Sequence, residues 1–483
     1  MRIARFTAPA CLAALLLADL TGWMAAGPAP LRILGLELPA GRFEAEAAIA
    51  AVVLVGALVL AGGLRTRSGP ALVVAGLTAA VLLANTIPIG SGDTVPATFL
   101  PFAILREGRL TFERSGLDEP LGIHDEVLPY YLVRVGSGVA SKYSPAMGVL
   151  ATAVYFPAVL GRFDPRASAV LHLGKLAAVL LTALGAGCLF AAARNLVGVR
   201  WAWVATALHV LGTPVLSVLG QALWQHTGAA LGLGVALLAL TLPGREPRTV
   251  GLLAGLGLGV SVACRPVDVV LALGVAVAVL RERRRAVPWM VVAAAVPVVL
   301  LGLYQWRVFG SPLVTGYGAE ASEGWTTPLR EGLPGLLLSP GRGLLLHAPI
   351  LLLGAGALLP SSRAPRWLVP PLLALAVFTM LMGRWWAWTG GYAAGNRMLS
   401  DGLPVLALAM ACGLPAVWSL RPLRAPVVAL AVVSVATAAA LTFVRPSREF
   451  RDRVLELARG PWEPGSHPLI ALTRQLTGGE GLR

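Results

Sequence analysis

The sequence predicts an all-α polytopic membrane protein, and three observations carry that reading. Of 483 residues, 57% are hydrophobic and 13% charged, with a mean hydropathy of +0.75, whereas soluble domains carry about a quarter charged residues. Apolar runs long enough to cross a bilayer as helices recur from one end of the chain to the other. Short arginine-bearing loops alternate with long polar ones, the distribution that the positive-inside rule describes.

About 13 transmembrane helices fit the pattern, over 8–26, 45–63, 71–90, 168–192, 201–219, 227–243, 250–264, 267–280, 288–306, 344–361, 367–383, 402–418 and 425–444. Arg2 and Arg5 place the N-terminus in the cytoplasm. The inner loops then carry Arg65 and Arg67, Arg194 and Arg200, Arg245 and Arg248, the RERRR run from Arg281, Arg363 and Arg366, and Arg421 and Arg424. Every long polar loop falls outside, as does the C-terminus. The spans 250–264 and 267–280 are short and barely separated by CRPVD, so a re-entrant hairpin is an alternative that leaves the later orientation unchanged. The first span also has the arginines, apolar stretch and small-residue MAAG of a cleaved signal peptide, although Asp19 sits awkwardly in one.

The division expected is an N-terminal transmembrane hairpin, 1–70, a membrane domain, 71–444, and an external tail, 445–483. The membrane domain has external loops at 91–167, 220–228, 307–343 and 384–402. The first of these is the longest. It carries a short helix, PATFLPFAILREG, and an amphipathic or partly inserted stretch, YSPAMGVLATAVYFPAVLG.

The net charge of +15 does not point to nucleic acid. The arginines sit in tight loops, with no basic stripe interleaved with aromatics of the kind that reads bases. Cys11, Cys188, Cys264 and Cys412 lie in apolar runs without metal or redox spacing and read as small core residues. Transporters carry ionisable groups mid-membrane and often show two related halves. Here those groups crowd the outer helix ends, Asp19, His172, Lys175 and His209 excepted, which describes an enzyme working at the membrane surface.

Asp93, in SGDTVPATFLPF, is the leading acid. At the membrane edge a carboxylate can take the proton of an attacking hydroxyl; equally, Asp93 or Thr94 can cap the helix that follows. Asp118, Glu119, His124, Asp125 and Glu126 form either a divalent-metal cluster or solvated loop charge. Lys142 in KYSPAMG, Arg342 in SPGRGLLLHAP and Arg397 in GGYAAGNRMLSDG suit an anionic substrate. Glycines beside the two arginines let backbone approach a phosphate, and guanidinium forks match phosphate oxygens; snorkelling is the plainer alternative. Lys175, two turns deep, needs a partner, either His172 one turn earlier or a lipid phosphate. Gln225 and His226 share the outer turn LWQHTG, where a histidine orients a substrate hydroxyl, binds metal or merely sits at the interface. Trp385, Trp386, Trp388 and Tyr392 read partly as an aromatic belt and partly as a surface for a sugar ring, the latter assigned to Trp388 and Tyr392.

Taken in order, GDTVPATFLP (92–101), KYSPAMG (142–148), SPGRGLLLHAP (339–349) and GGYAAGNRMLSDGLP (390–404) resemble the GT-C superfamily of membrane glycosyltransferases. That superfamily includes the protein O-mannosyltransferases and the aminoarabinose transferases of lipid A. The resemblance implies a GT-C-like helix bundle with an outward cavity under the first loop, in the cell (inner or cytoplasmic) membrane. It implies a polyprenyl-phosphate-linked sugar as donor, a glycan, lipid or protein hydroxyl as acceptor, inversion at the anomeric carbon, and Asp93 as general base. Lys142, Lys175, Arg342 and Arg397 fall to the donor phosphate, and Gln225, His226, Trp388 and Tyr392 to substrate. No residue is assigned to a metal, but a divalent metal stays open: many relatives carry paired acids where Thr94 follows Asp93, and some are acidic where Gln225 and His226 stand. Asp93, Arg342 and Arg397 are expected to converge in one cavity. A polymerase or ligase of lipid-linked polysaccharides, and a transporter or flippase of such lipids, are the alternative functions.

Overall fold

The computed structural model describes residues 69–443, apart from 86–87, 113–115, 125–126, 137 and 167–168, together with 461–476 and the pieces 31–33, 36–38 and 56. The expected spans 8–26 and 45–63, Cys11, Asp19, Asp125 and Glu126, and much of the tail lie outside the described residues. Two short strands, β1 (Leu31–Ile33) and β2 (Leu36–Leu38), pair antiparallel.

From residue 69 the described chain is predominantly helical. Helix α1 (Gly69–Leu83) leads into α2 (Val95–Glu107), the short helix expected in the first loop. A hairpin, β3 (Leu132–Val135) with β4 (Gly138–Ser141), precedes α3 (Ala146–Leu160), so the stretch that follows YSP is a regular helix. Then come α4 (Val170–Val197), α5 (Val199–Leu211), α6 (Gln225–Thr241), α7 (Pro247–Cys264), α8 (Val269–Glu282) and α9 (Val287–Phe309). After a loop come α10 (Leu329–Leu338), α11 (Val369–Arg384), α12 (Leu403–Ser419), α13 (Arg424–Phe443) and, in the C-terminal segment, α14 (Pro468–Leu476).

By length and composition, six helical stretches among the described residues can cross a membrane: Val170–Val197, Pro247–Cys264, Arg284–Phe309, Arg366–Arg384, Ser400–Ser419 and Arg421–Phe443. Gly69–Leu83, Ala146–Leu160, Gln225–Thr241 and Pro349–Leu358 are apolar but shorter. Two expected spans are not single α-helices. The one at 201–219 stops at Leu211, because Gly212 and Pro214 interrupt it, and resumes as a π-helical turn, Val215–Leu219. The one at 344–361 is a single turn, Leu344–His347, followed by the 3₁₀ stretch Pro349–Leu358.

Small residues set the helix spacing, as they do where lipid supplies no hydrophobic drive between helices. Along α7, Gly251, Gly255 and Gly259 lie four residues apart, on one face. A Cβ at each would strike the backbone oxygens of Ala286, Met290 and Ala294, which belong to α9 or to the turn before it. Gly257 of α7 meets Gly232 of α6 in the same manner. On its far side α9 turns Val291, Val292, Val296, Val299, Leu300 and Leu303 outward, an apolar surface suited to lipid. One buried cluster joins α4 to α6, α7 and α12; a second joins α4 to α2 and α3, which places the first loop directly over the bundle.

Candidate active site

Asp93 is delivered by a short, well-tied segment. Ser91 caps the 3₁₀ turn Gly92–Thr94, its Oγ accepting from the Asp93 N–H at 3.3 Å, and Thr94 Oγ1 donates back to the Ser91 carbonyl at 2.8 Å. Pro96, in the first turn of α2, starts that helix without needing a donor. Capping therefore falls to Ser91, and the Asp93 carboxylate is free for longer-range contacts. Tyr143 Oη donates to its Oδ1 at 2.5 Å and Tyr130 Oη to the same oxygen at 2.8 Å, while Arg397 Nη1 forms an ion pair with Oδ2.

The electrostatics follow from these contacts. Burial alone would raise the Asp93 carboxyl. The Arg397 charge and the hydrogen bonds from Tyr143, Arg397 and Tyr130 outweigh it, so the group titrates below the usual carboxylate range. Burial, and then the charge of Asp93, push the phenols of Tyr143 and Tyr130 well up, so both remain donors.

The KYSP sequence explains its own placement. Lys142 follows strand β4 and pairs with Glu320 at 2.5 Å, its ammonium 5.1 Å from the centre of the Tyr317 ring. Tyr143 turns to Asp93. Ser144 Oγ donates to the Ala263 carbonyl at the end of α7, at 2.5 Å, and Pro145 opens α3.

Arg397 is presented by a glycine-shaped loop. Gly390, Gly391 and Gly395 adopt φ of +77°, +58° and +111°, which side chains other than hydrogen rarely allow. Asn396 Nδ2 donates to the carbonyls of Leu336 and Arg342, at 2.8 and 2.9 Å. Arg342 lies behind the loop, donating to the carbonyls of Ala393 and Gly391 at 2.6 and 2.7 Å. Burial and the nearby Arg397 lower Arg342 to about 10, still leaving it charged at neutral pH. The Arg397 guanidinium stands 4.9 Å from the centre of the Trp224 ring, and Nη1 is its one hydrogen-bonded nitrogen among the described residues.

These groups meet in a cavity of about 320 Å³. Asp93, Lys142, Tyr143, Gln225, His226 and Arg397 line it, with Arg265 from the CRPVD turn and Trp224, Tyr317, Trp325 and Trp385 as aromatic walls. Leu301, Tyr304 and Phe309, with Gln305 among them, form a largely apolar side from the last turns of α9. Beneath the polar side, Asp401 is fully buried. Its Oδ1 is 2.8 Å from His226 Nδ1, and its Oδ2 is ion-paired with Arg265. Asp268, also fully buried, accepts from Ser261 Oγ at 3.0 Å.

Of the residues singled out from sequence, Asp93, Lys142, Gln225, His226 and Arg397 come together. Four do not. Arg342 leaves the cavity because its fork is spent on backbone carbonyls. Lys175 is buried and donates to the Asn85 carbonyl just past the end of α1, and it does not line the cavity. Trp388 packs in the core against Gly335, and Tyr392 is 55% exposed outside the cavity. Asp118, Glu119 and His124 are exposed in the first loop, away from the cavity, and no group of three His, Cys, Asp or Glu among the described residues is arranged to hold a metal. The Asp93 oxygens face a guanidinium and two hydroxyl donors, a surrounding that does not fit a divalent cation.

The residues missed from sequence are Tyr130, Tyr143, Arg265, Asp268, Tyr317 and Asp401, and of the aromatic run it is Trp385, not Trp388 or Tyr392, that lines the cavity. Tyr143 and Asp401 lay inside KYSPAMG and GGYAAGNRMLSDGLP. An arginine and an aspartate three apart in CRPVD, at a turn between apolar spans, were the remaining signal.

No protein-family model matches the chain, and no curated protein sequence matches it. Solved structures do. The archaeal oligosaccharyltransferase AglB from Archaeoglobus fulgidus, in complex with an inhibitory peptide and a dolichol-phosphate, is similar with a TM-score of 0.42 and 14% identity, over 83% of this chain and 61% of that one. The Archaeoglobus fulgidus oligosaccharyltransferase in complex with zinc and sulfate gives 0.38 and 14%, over 87% and 58%. Its apo form gives 0.40 and 14%, over 87% and 60%. The chain spans about three fifths of the length of the structures it matches.

Proposed function

We propose that the protein is a membrane glycosyltransferase of the GT-C type, moving a sugar from a polyprenyl-phosphate donor to an acceptor hydroxyl. The observation that carries this reading is the Asp93–Arg397 pair inside a cavity that is cationic and aromatic on one side and apolar on the other. The acceptor oxygen attacks the anomeric carbon and inverts it as the bond to the phosphate oxygen breaks. Polyprenyl phosphate leaves with the electron pair, and the hydroxyl proton passes to Asp93. That proton moves late, once the attacking oxygen has become acidic, so an ionised carboxylate of low pKa can accept it.

Charge grows on the departing phosphate, and fixed cations in a partly dry site stabilise it. Arg397 and Lys142 fill that role, the lysine by exchanging Glu320 for phosphate. Arg342 serves indirectly, by holding the loop that aims Arg397. The last turns of α9 offer the prenyl chain an apolar wall facing the bilayer. All lining residues belong to loops and helix ends of one side of the bundle, which favours an enzyme over a transporter. The arginine pattern supports an external position for that side, and the resemblance noted in the sequence supports the cytoplasmic membrane. The donor sugar is either a hexose or a pentose, and the acceptor a surface glycan, lipid or protein.

Purified protein in nanodiscs, given a panel of polyprenyl-phosphate hexoses and pentoses with glycan acceptors, is expected to release polyprenyl phosphate. A protein that exports or flips these lipids without cleaving any of them contradicts the reading.

A further inference from the structure

His226 is the cavity group whose neighbours fix its chemistry. Its Nδ1 lies 2.8 Å from Asp401 Oδ1, and the other Asp401 oxygen is ion-paired with Arg265. A carboxylate held by a guanidinium stays ionised and can only accept hydrogen bonds. The hydrogen between Asp401 and His226 must therefore be carried by Nδ1. Arg265 already balances the Asp401 charge and His226 is buried, so a second cation is disfavoured there and the imidazole is neutral. It then has a single N–H, and Nε2 is left with a lone pair. The opposite arrangement, a protonated Asp401 donating to Nδ1, would give up the charge on its contact with Arg265. His226 lines the cavity, and Asp401 is its one hydrogen-bond partner among the described residues.

We propose that Asp401 and Arg265 are positioning residues that lock His226 in the Nδ1–H tautomer, making Nε2 a dedicated acceptor for a hydroxyl of the bound sugar. This rests on the glycosyltransferase reading only in naming a sugar as the owner of that hydroxyl; the tautomer follows from the contacts and burial of His226. Arg397 and Lys142 bring only donors to the cavity, and these suit phosphate. A lone pair repels phosphate oxygens and receives a neutral O–H. The cavity is thus divided, with cations for the lipid phosphate and the His226 nitrogen for the ring. The hydroxyl belongs to either the donor sugar or the acceptor glycan, which the probes below distinguish.

The test is nitrogen NMR of the full chain in nanodiscs with ¹⁵N-labelled histidine; the chain has six histidines, and His226→Gln assigns the signal. At neutral pH the wild type is expected to show Nδ1 protonated and Nε2 bare. A proton on Nε2, or on both nitrogens, overturns the proposal. Asp401→Asn, which can donate to Nδ1, is expected to move the proton to Nε2; where that variant does not fold, the wild-type spectrum decides. Farnesyl-phosphate-linked hexoses and pentoses and the matching free methyl glycosides are then added separately, with inorganic phosphate as control. A shift of Nε2 with the free glycoside assigns the hydroxyl to the acceptor, and a shift with the lipid-linked sugar alone assigns it to the donor. An Nε2 signal unmoved by either, or a ring protonated by phosphate, overturns hydroxyl recognition whether or not the protein proves to be a glycosyltransferase.

Discussion

Asp93 and Arg397 stand 304 positions apart in the chain and form an ion pair across the cavity, with Tyr143 and Tyr130 donating to the remaining carboxylate oxygen. The pair ties the first polar loop to the last one, and it sets the charge state on which the proposed chemistry depends.

Arg397→Gln removes the largest influence holding the Asp93 pKa down and leaves only the Tyr143 and Tyr130 hydrogen bonds against burial, which acts in the opposite direction. The acidic limb of the kcat/KM profile is expected to move to higher pH in the variant. The linkage has the corresponding sign. A carboxyl depressed by folding contributes stability that is in place above its unfolded pKa and is lost as pH falls through the folded value. Wild-type stability should therefore lose the Asp93 contribution only below the usual carboxylate range, and in the variant that contribution should be smaller. An unchanged acidic limb would separate Asp93 from Arg397.

Tyr143 and Tyr130 bond the same oxygen but in different surroundings: Tyr143 is 8% exposed and Tyr130 61%. A hydrogen bond to a charged group contributes about 1.5–3 kcal/mol, and water can replace only the exposed one. Tyr143→Phe is expected to lower kcat/KM by roughly tenfold or more, on that energy scale, and Tyr130→Phe by distinctly less. Steady-state kinetics on the two variants check this, and equal losses would contradict it.

Arg342 holds the carbonyls of Ala393 and Gly391 with two arms of one planar fork. Lysine keeps the charge but is a point donor without the fork. Arg342→Lys is expected to lower turnover with little change in the affinity for polyprenyl phosphate, measured by titration calorimetry, because Arg342 shapes the loop rather than binding the donor. A large loss of phosphate affinity would return Arg342 to direct contact with the substrate.

Gly255 of α7 has no room for a methyl group against the Met290 carbonyl of α9. Overpacking of this kind costs about 1–3 kcal/mol. Gly255→Ala is expected to lower the melting temperature in nanodiscs, whereas Gly234→Ala, where the nearest atom lies 3.8 Å away, should not. A neutral Gly255→Ala would mean that the two helices separate without cost.

Much of this architecture was legible because apolar run length and arginine placement are local signals. The helices α4, α7, α9, α11, α12 and α13 lie where those runs predict them. Gly212 and Pro214 were visible inside the 201–219 run, yet hydropathy counts apolar residues and passes over such interruptions. The site was readable in part: Asp93, Lys142, His226 and Arg397 stood out as polar groups at helix ends. Arg342 and Lys175 carry the same signal, and only the fold reveals that backbone carbonyls engage them. Asp401 carried no signal of its own, because its partners, His226 and Arg265, are 175 and 136 positions away.

The most direct test of the central claim is turnover by wild type and Asp93→Asn on one polyprenyl-phosphate sugar that the wild type consumes. General base catalysis contributes about 10²–10⁴-fold, so the variant is expected to lose turnover by at least roughly a hundredfold while still binding polyprenyl phosphate. An Asp93→Asn protein that turns over at the wild-type rate would remove Asp93 from the chemistry.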